Sequence, residues 1–103
     1  MTNSNSLGEP TRAELDAGKG TVLVEFGTSW CGYCQAAQPL IAAAFVEHAE
    51  IPHVKVEDGK GRPLGRSFGV KLWPTLILLK DGKEVDRLVR PDSKQAIEQL
   101  LTQ

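Results

Sequence analysis

The sequence predicts an α/β fold: a central mixed sheet of four to five strands flanked by helices on both faces. Three observations predict it. Two near-continuous apolar runs, Thr21 to Phe26 and Thr75 to Leu79, read as strands buried on both sides. Strands alternate with segments of helical periodicity along most of the chain, which implies a parallel core. Asp81-Gly82 then signals a tight hairpin and an antiparallel edge.

Each element has a local reason. Residues 1–8 are polar and expected to be disordered. Thr11-Arg12-Ala13-Glu14 has the form of a capping box and opens a short helix ending near Gly18. The strand Thr21 to Phe26 leads into a loop, Gly27 to Trp30. From Cys34 to Ala49 the residues Ala37, Leu40, Ile41, Ala44 and Phe45 fall on one helical face, with Pro39 expected to kink it. Past Pro52, His53 to Val56 reads as a strand with Val54 and Val56 on one side. Pro63 to Phe68 forms a helical turn closed by Gly69. Glu84 to Val89 pairs with Thr75 to Leu79 across the hairpin. Asp92 is the expected cap of a last helix, with Gln95 at its third position and Ala96, Ile97, Leu100 and Leu101 facing inward. At 103 residues the chain suits a single domain spanning 1–103.

Composition narrows the function classes. Twelve Lys and Arg against thirteen Asp and Glu argue against nucleic acid as the main partner, which needs a basic excess. The run from Lys60 to Lys71 carries four basic residues and no acidic one, readable as a solvated segment or as steering for an acidic partner. The longest apolar stretches are too short to span a bilayer. The first twenty residues lack the apolar stretch of a secretory signal, so a cytoplasmic location and a monomer are the expectations.

Cys31 and Cys34 are the two cysteines, separated by Gly32 and Tyr33. They lie after a strand and before a helix. A sulfur at a helix start meets the positive end of the helix dipole and unpaired N–H groups, both of which stabilise a thiolate. Cys31 is therefore the expected nucleophile and Cys34 the resolving thiol, a redox-active pair that needs no cofactor or metal. One competing reading exists. Cys31, Cys34, His48 and His53 also satisfy two-Cys, two-His zinc spacing. Pro52 between the histidines argues against it, because a zinc finger carries both on one helix.

With these residues in view, the chain resembles the thioredoxin family from about Val22 to Leu101. The match rests on Val22 to Phe26, Trp30-Cys31-Gly32-Tyr33-Cys34, Pro39, Phe68-Gly69-Val70, Trp73-Pro74-Thr75-Leu76 and Asp81-Gly82. The resemblance implies a thioredoxin fold and reduction of protein disulfides, with a reductase or other thiol donor upstream. It also implies that Pro74 is a cis-proline facing the cysteines and that Trp73 offers its backbone to an extended substrate segment. Trp30, Gly32, Tyr33, Trp73, Pro74 and Arg90 then border the substrate. Glu25 stands where the family carries a buried Asp. Burial should raise its pKa, fitting it to take the proton of Cys34. Trp30 is expected to pack over the loop and shield Cys34.

Several positions depart from the family pattern. Tyr33 replaces the usual proline, which predicts a more oxidising disulfide and raises isomerase or oxidase action as an alternative. Gly27 replaces a frequent aromatic residue. Trp73 and Arg90-Pro91 add bulk and charge beside the site, which predicts poor reduction by a standard thioredoxin reductase. A first strand near Ser4 to Glu9 should be missing or vestigial. A non-catalytic or zinc-holding module remains the alternative of a different class.

Overall fold

Thr11 opens the first helix, α1 (Arg12–Asp16), through the capping box seen in its sequence. The Glu14 N–H donates to Thr11 Oγ1 at 3.1 Å, and the Thr11 N–H donates to Glu14 Oε1 at 2.8 Å. The structure is a computed structural model that describes residues 9–103. The expected disorder of residues 1–8, and all but Glu9 of the vestigial strand, lie outside the described residues.

After α1 the chain runs through β1 (Thr21–Gly27), α2 (Gly32–Phe45), β2 (His53–Glu57), α3 (Pro63–Ser67), β3 (Thr75–Lys80), β4 (Lys83–Val89) and α4 (Lys94–Leu101). The four strands form one mixed sheet in the order β2-β1-β3-β4. The expected parallel core is reduced to one pair. β1 and β2 run parallel, while β1–β3 and β3–β4 are antiparallel. Helix lengths explain this correction. The 14 residues of α2 span about 21 Å, enough to carry the chain back along a strand. The 5 residues of α3 span only about 7 Å. The chain therefore enters β3 from the end at which it left β2, and Thr75 pairs with Phe26 near the finish of β1.

Two helix boundaries also differ from expectation. α2 begins at Gly32 rather than Cys34, with Cys31 as its N-cap, and ends at Phe45 rather than Ala49. Beyond it, the i→i+3 bonds from His48 N–H to Phe45 and from Ile51 N–H to His48 tighten the chain and tuck Ile51 into the core. Ser93, not Asp92, caps α4, its Oγ accepting the Ala96 N–H at 3.1 Å. Both residue types cap well, so burial of Ile97, Leu100 and Leu101 on one face decides the register.

The sheet divides the core in two by simple alternation. Leu23, Leu76 and Leu78 face α2 and α4, packing with Ile41, Ala44 and Ile97. Val24, Phe26, Ile77 and Leu79 face the other way, toward Leu15, Val56, Leu64 and Phe68. Glu25 shares the α2 side with Leu23. This parity places a carboxylate beneath the helix that carries the cysteines.

The hairpin turn locks onto α1. Asp81 and Gly82 both have positive φ, 51° and 82°. Asp81 Oδ1 accepts the Gly20 N–H at 2.7 Å, and a methyl group at Gly82 would overlap the Asp16 carbonyl. Gly82→Ala is expected to cost about 2–4 kcal/mol, since it adds backbone overlap to left-handed strain. Urea unfolding measures it, and a loss below about 0.5 kcal/mol would contradict the packing.

Candidate active site

The loop after β1 turns the chain so that Cys31 enters α2 in extended conformation, with φ −80° and ψ 123°. Its sulfur caps the helix, accepting the Cys34 N–H at 3.2 Å. Both cysteines are free thiols and buried, Cys31 at 8% exposure and Cys34 at 4%. Burial pushes Cys31 up, but the Cys34 thiol, the N–H groups of Cys34 and Tyr33, and the charge of Arg90 more than offset it. The net result is a thiol below the ordinary value of 9.0. Burial drives Cys34 the other way, to about 11. Its hydrogen bond to Cys31 and the charges of Cys31 and Glu25 add to the rise, against an opposing Thr28 N–H. The two sulfurs thus differ in kind: one ionises readily, the other holds its proton.

Glu25 is buried at 3% exposure, and both carboxylate oxygens are occupied. Oε1 lies 2.7 Å from His53 Nε2, and Oε2 accepts from Gln38 Nε2 at 2.8 Å. Lys55 Nζ donates to Gln38 Oε1 at 3.0 Å, and Phe45 stacks on the His53 ring at 4.8 Å. Burial pushes the Glu25 carboxyl up. Hydrogen bonds from His53 and Gln38, and the charges of His53 and Lys55, outweigh it and hold the carboxyl below 4.5. The expectation of a raised Glu25 pKa is therefore corrected. A carboxylate surrounded by donors stays ionised, whatever its depth.

The sequence does not single out His53, Gln38 or Lys55 as partners of Glu25; His53 enters there only in the zinc reading. A signal existed for two of them. With Val54 and Val56 on one side of β2, His53 and Lys55 must share the other. The parallel register Leu23↔His53 and Glu25↔Lys55 then sets them beside Glu25. The same geometry turns His53 toward Glu25 rather than toward the cysteines. Among the described residues, no group of three or more His, Cys, Asp or Glu could hold a metal ion.

Pro74 is fully buried and follows a cis peptide bond, as the resemblance implied. The Trp73 carbonyl oxygen lies 4.0 Å from Cys31 Sγ, and the Trp73 indole N–H donates to Asp58 Oδ2 at 2.8 Å. Arg90 reaches the same carbonyl through Nε at 2.8 Å. Its guanidinium carbon sits 3.8 Å from the centre of the Tyr33 ring. Trp30 is corrected from a shield to an exposed flank: it is 71% exposed and meets Trp73 edge-on at 5.6 Å. Tyr33 is 60% exposed, and Gly32 lies on the surface between the cysteines.

Gly27 has a steric reason. A Cβ there would lie 2.7 Å from Cys34 Sγ, so the sulfur occupies space that any side chain would contest. Beside it a groove of about 790 Å³ runs past Thr28, Gln35 and Gln38, with the buried Cys34 and Glu25 in its lining. No described helix is long and apolar enough to cross a membrane.

Known proteins resemble this chain in sequence and in fold. The thioredoxin family model matches residues 9–103. A thioredoxin of Chlamydia muridarum is 40% identical over 84 residues, 81% of each chain. The solved structure of thioredoxin 2 from Pseudomonas aeruginosa, in its reduced form, is 59% identical over 90% of each chain, with a TM-score of 0.79. A thioredoxin from Nicotiana alata superimposes with a TM-score of 0.71 at 30% identity, covering 94% of this chain and 83% of that one. A family model that matches all the described residues, together with these relatives, shows that the chain belongs to the thioredoxin family of thiol–disulfide oxidoreductases, with Cys31 and Cys34 as its active-site pair.

Proposed function

We propose that the protein reduces disulfides of other proteins by dithiol–disulfide exchange, with Cys31 attacking and Cys34 resolving. The observation that carries this reading is the Cys31 sulfur at the start of α2, bonded to the Cys34 N–H and lowered below 9.0. The Cys31 thiolate attacks one sulfur of the substrate disulfide, forms a mixed disulfide and releases the first substrate thiolate. Cys34 then gives up its proton and attacks the Cys31 sulfur, expelling the second substrate thiolate. The protein is left with a Cys31–Cys34 disulfide, and two electrons have passed to the substrate. No cofactor enters, since the sulfurs carry the electrons.

Glu25 relays the Cys34 proton rather than keeping it: a carboxylate held ionised by His53 and Gln38 accepts a proton only in passing and gives it up to solvent through the groove it lines. Trp30, Gly32, Tyr33, Trp73, Pro74 and Arg90 form the substrate-binding face, supported by their position around Cys31 and by the aromatic exposure there. The working unit is a monomeric single domain in the cytoplasm, where a reductase or small thiol returns the pair to its dithiol form.

The test joins two measurements on the reduced wild type. Insulin reduction, with dithiothreitol as donor, should exceed the dithiothreitol background. Iodoacetamide should label Cys31 with a pH midpoint below 9.0 and leave Cys34 unlabelled until the pH approaches about 11. Labelling of Cys31 no faster than a free cysteine at neutral pH would sink the reading.

A further inference from the structure

Arg90 occupies a costly position. It is left-handed, with φ 50°, and it precedes Pro91, which restricts its backbone further. Strain at a non-glycine residue beside a reactive site persists only where the surrounding contacts hold it in place. The guanidinium is fixed at two points: Nε donates to the Trp73 carbonyl at 2.8 Å, and the guanidinium carbon lies over the Tyr33 ring, 3.8 Å from its centre. Its backbone N–H also donates to the Pro74 carbonyl at 2.9 Å, which ties the residue to the proline beside the cysteines.

These contacts leave the outer edge of the fork free. Among the described residues, the ion pairs use Arg12, His53, Arg62, Arg87 and Lys94, and none uses Arg90. Its terminal nitrogens have no protein acceptor among those residues. An arginine anchored through Nε and stacked on an aromatic ring presents parallel N–H donors at little further entropy cost, the geometry that matches a carboxylate. The surroundings agree in sign. On another side of Trp73, Arg66 and Lys71 line a shallow hollow with Asp58 and with Arg62, which pairs with Glu9, so cations still outnumber carboxylates there.

We propose that Arg90 is a carboxylate receptor beside Cys31, which selects disulfides flanked by an acidic group. This rests on the disulfide-reductase reading above. A docked substrate would set its acidic side chain against the free edge of the guanidinium while its disulfide meets the Cys31 sulfur. The basic run from Lys60 to Lys71 thereby gains a role as the outer part of the same field.

The test compares three peptide disulfides that carry Glu, Gln or Lys next to the cysteine, and a small pair, 3,3′-dithiodipropionate against 2-hydroxyethyl disulfide. Wild type should reduce the Glu peptide about fivefold faster in kcat/KM than the Gln peptide, as about 1 kcal/mol for a part-exposed charge pair implies, and the Lys peptide more slowly still. The preference should shrink as salt is raised. Arg90→Gln should bring the Glu-to-Gln ratio close to one, and Arg90→Lys should restore it only in part. Arg90→Gly, which suits the left-handed backbone, should also abolish the ratio and covers the case that Arg90→Gln folds poorly. A ratio cancels any change in Cys31 ionisation, because the same thiolate attacks both peptides. A matching preference for dithiodipropionate would place small acidic disulfides among the ligands; a preference confined to peptides would assign the receptor to protein segments. Either supports the proposal. Equal Glu and Gln rates in wild type, or a preference that survives in both Arg90→Gln and Arg90→Gly, would overturn it and leave the reductase reading intact. No turnover of any disulfide would overturn both.

Discussion

Cys31→Ser should cut disulfide reduction by about a thousandfold or more, because it removes the nucleophile itself. A serine hydroxyl stays protonated where the Cys31 sulfur ionises, and Cys34 cannot take over. Burial, the largest cause that raises the Cys34 thiol, remains when Cys31 is replaced, so little of Cys34 is thiolate at neutral pH. Cys34→Ser should behave differently. Its Cys31 still attacks, yet nothing expels the second substrate thiolate, and the mixed disulfide should accumulate. Mass spectrometry of the quenched reaction with insulin reads this as a covalent adduct on Cys31. Wild-type turnover in Cys31→Ser, or an adduct on Cys34 in wild type, would reverse the assigned roles.

The second large effect concerns stability. His53→Ala should destabilise the fold by about 2–4 kcal/mol, measured by urea unfolding at pH 7, since it strips a buried carboxylate of one of its two partners. Gln38 still holds the other oxygen, which keeps the loss below the upper end for broken buried pairs. The double variant Glu25→Leu with His53→Leu should recover most of the loss, because both desolvated polar groups then go together. The same pair sets an acid limit. The Glu25 carboxyl is held below 4.5 in the folded chain, so as pH falls the unfolded state takes up its proton first. Its contribution is complete above about pH 4.5 and is lost as pH drops through the folded value. Glu25→Gln should flatten the stability profile below about pH 4.5. A His53→Ala protein as stable as wild type would show that the buried carboxylate needs no such partner.

Much of the molecule was legible in the chain because its signals are local. The capping box at Thr11, the apolar runs of β1 and β3, and the Asp81-Gly82 turn each act within a few residues, and each formed where the residues indicated. The cysteine pair was legible for the same reason: a helix start stabilises a thiolate through its own N–H groups. Boundaries slipped where two local solutions were nearly equal. Asp92 and Ser93 are both good caps, and packing of Ile97, Leu100 and Leu101 chose between them.

By itself, then, the sequence determined the elements, the two faces of each strand, the reactive cysteines and the family they announce. Tertiary structure decided the direction of β3, the ionisation of Glu25 and the grip of Arg90 on the Trp73 carbonyl. The reason is distance along the chain. Glu25 meets His53 across 28 residues and Arg90 meets Trp73 across 17. Periodicity can say which side of a strand a residue takes, but only the register of the folded sheet says which polar groups meet there. The energy of a buried charge depends on those partners, so its chemistry is settled last.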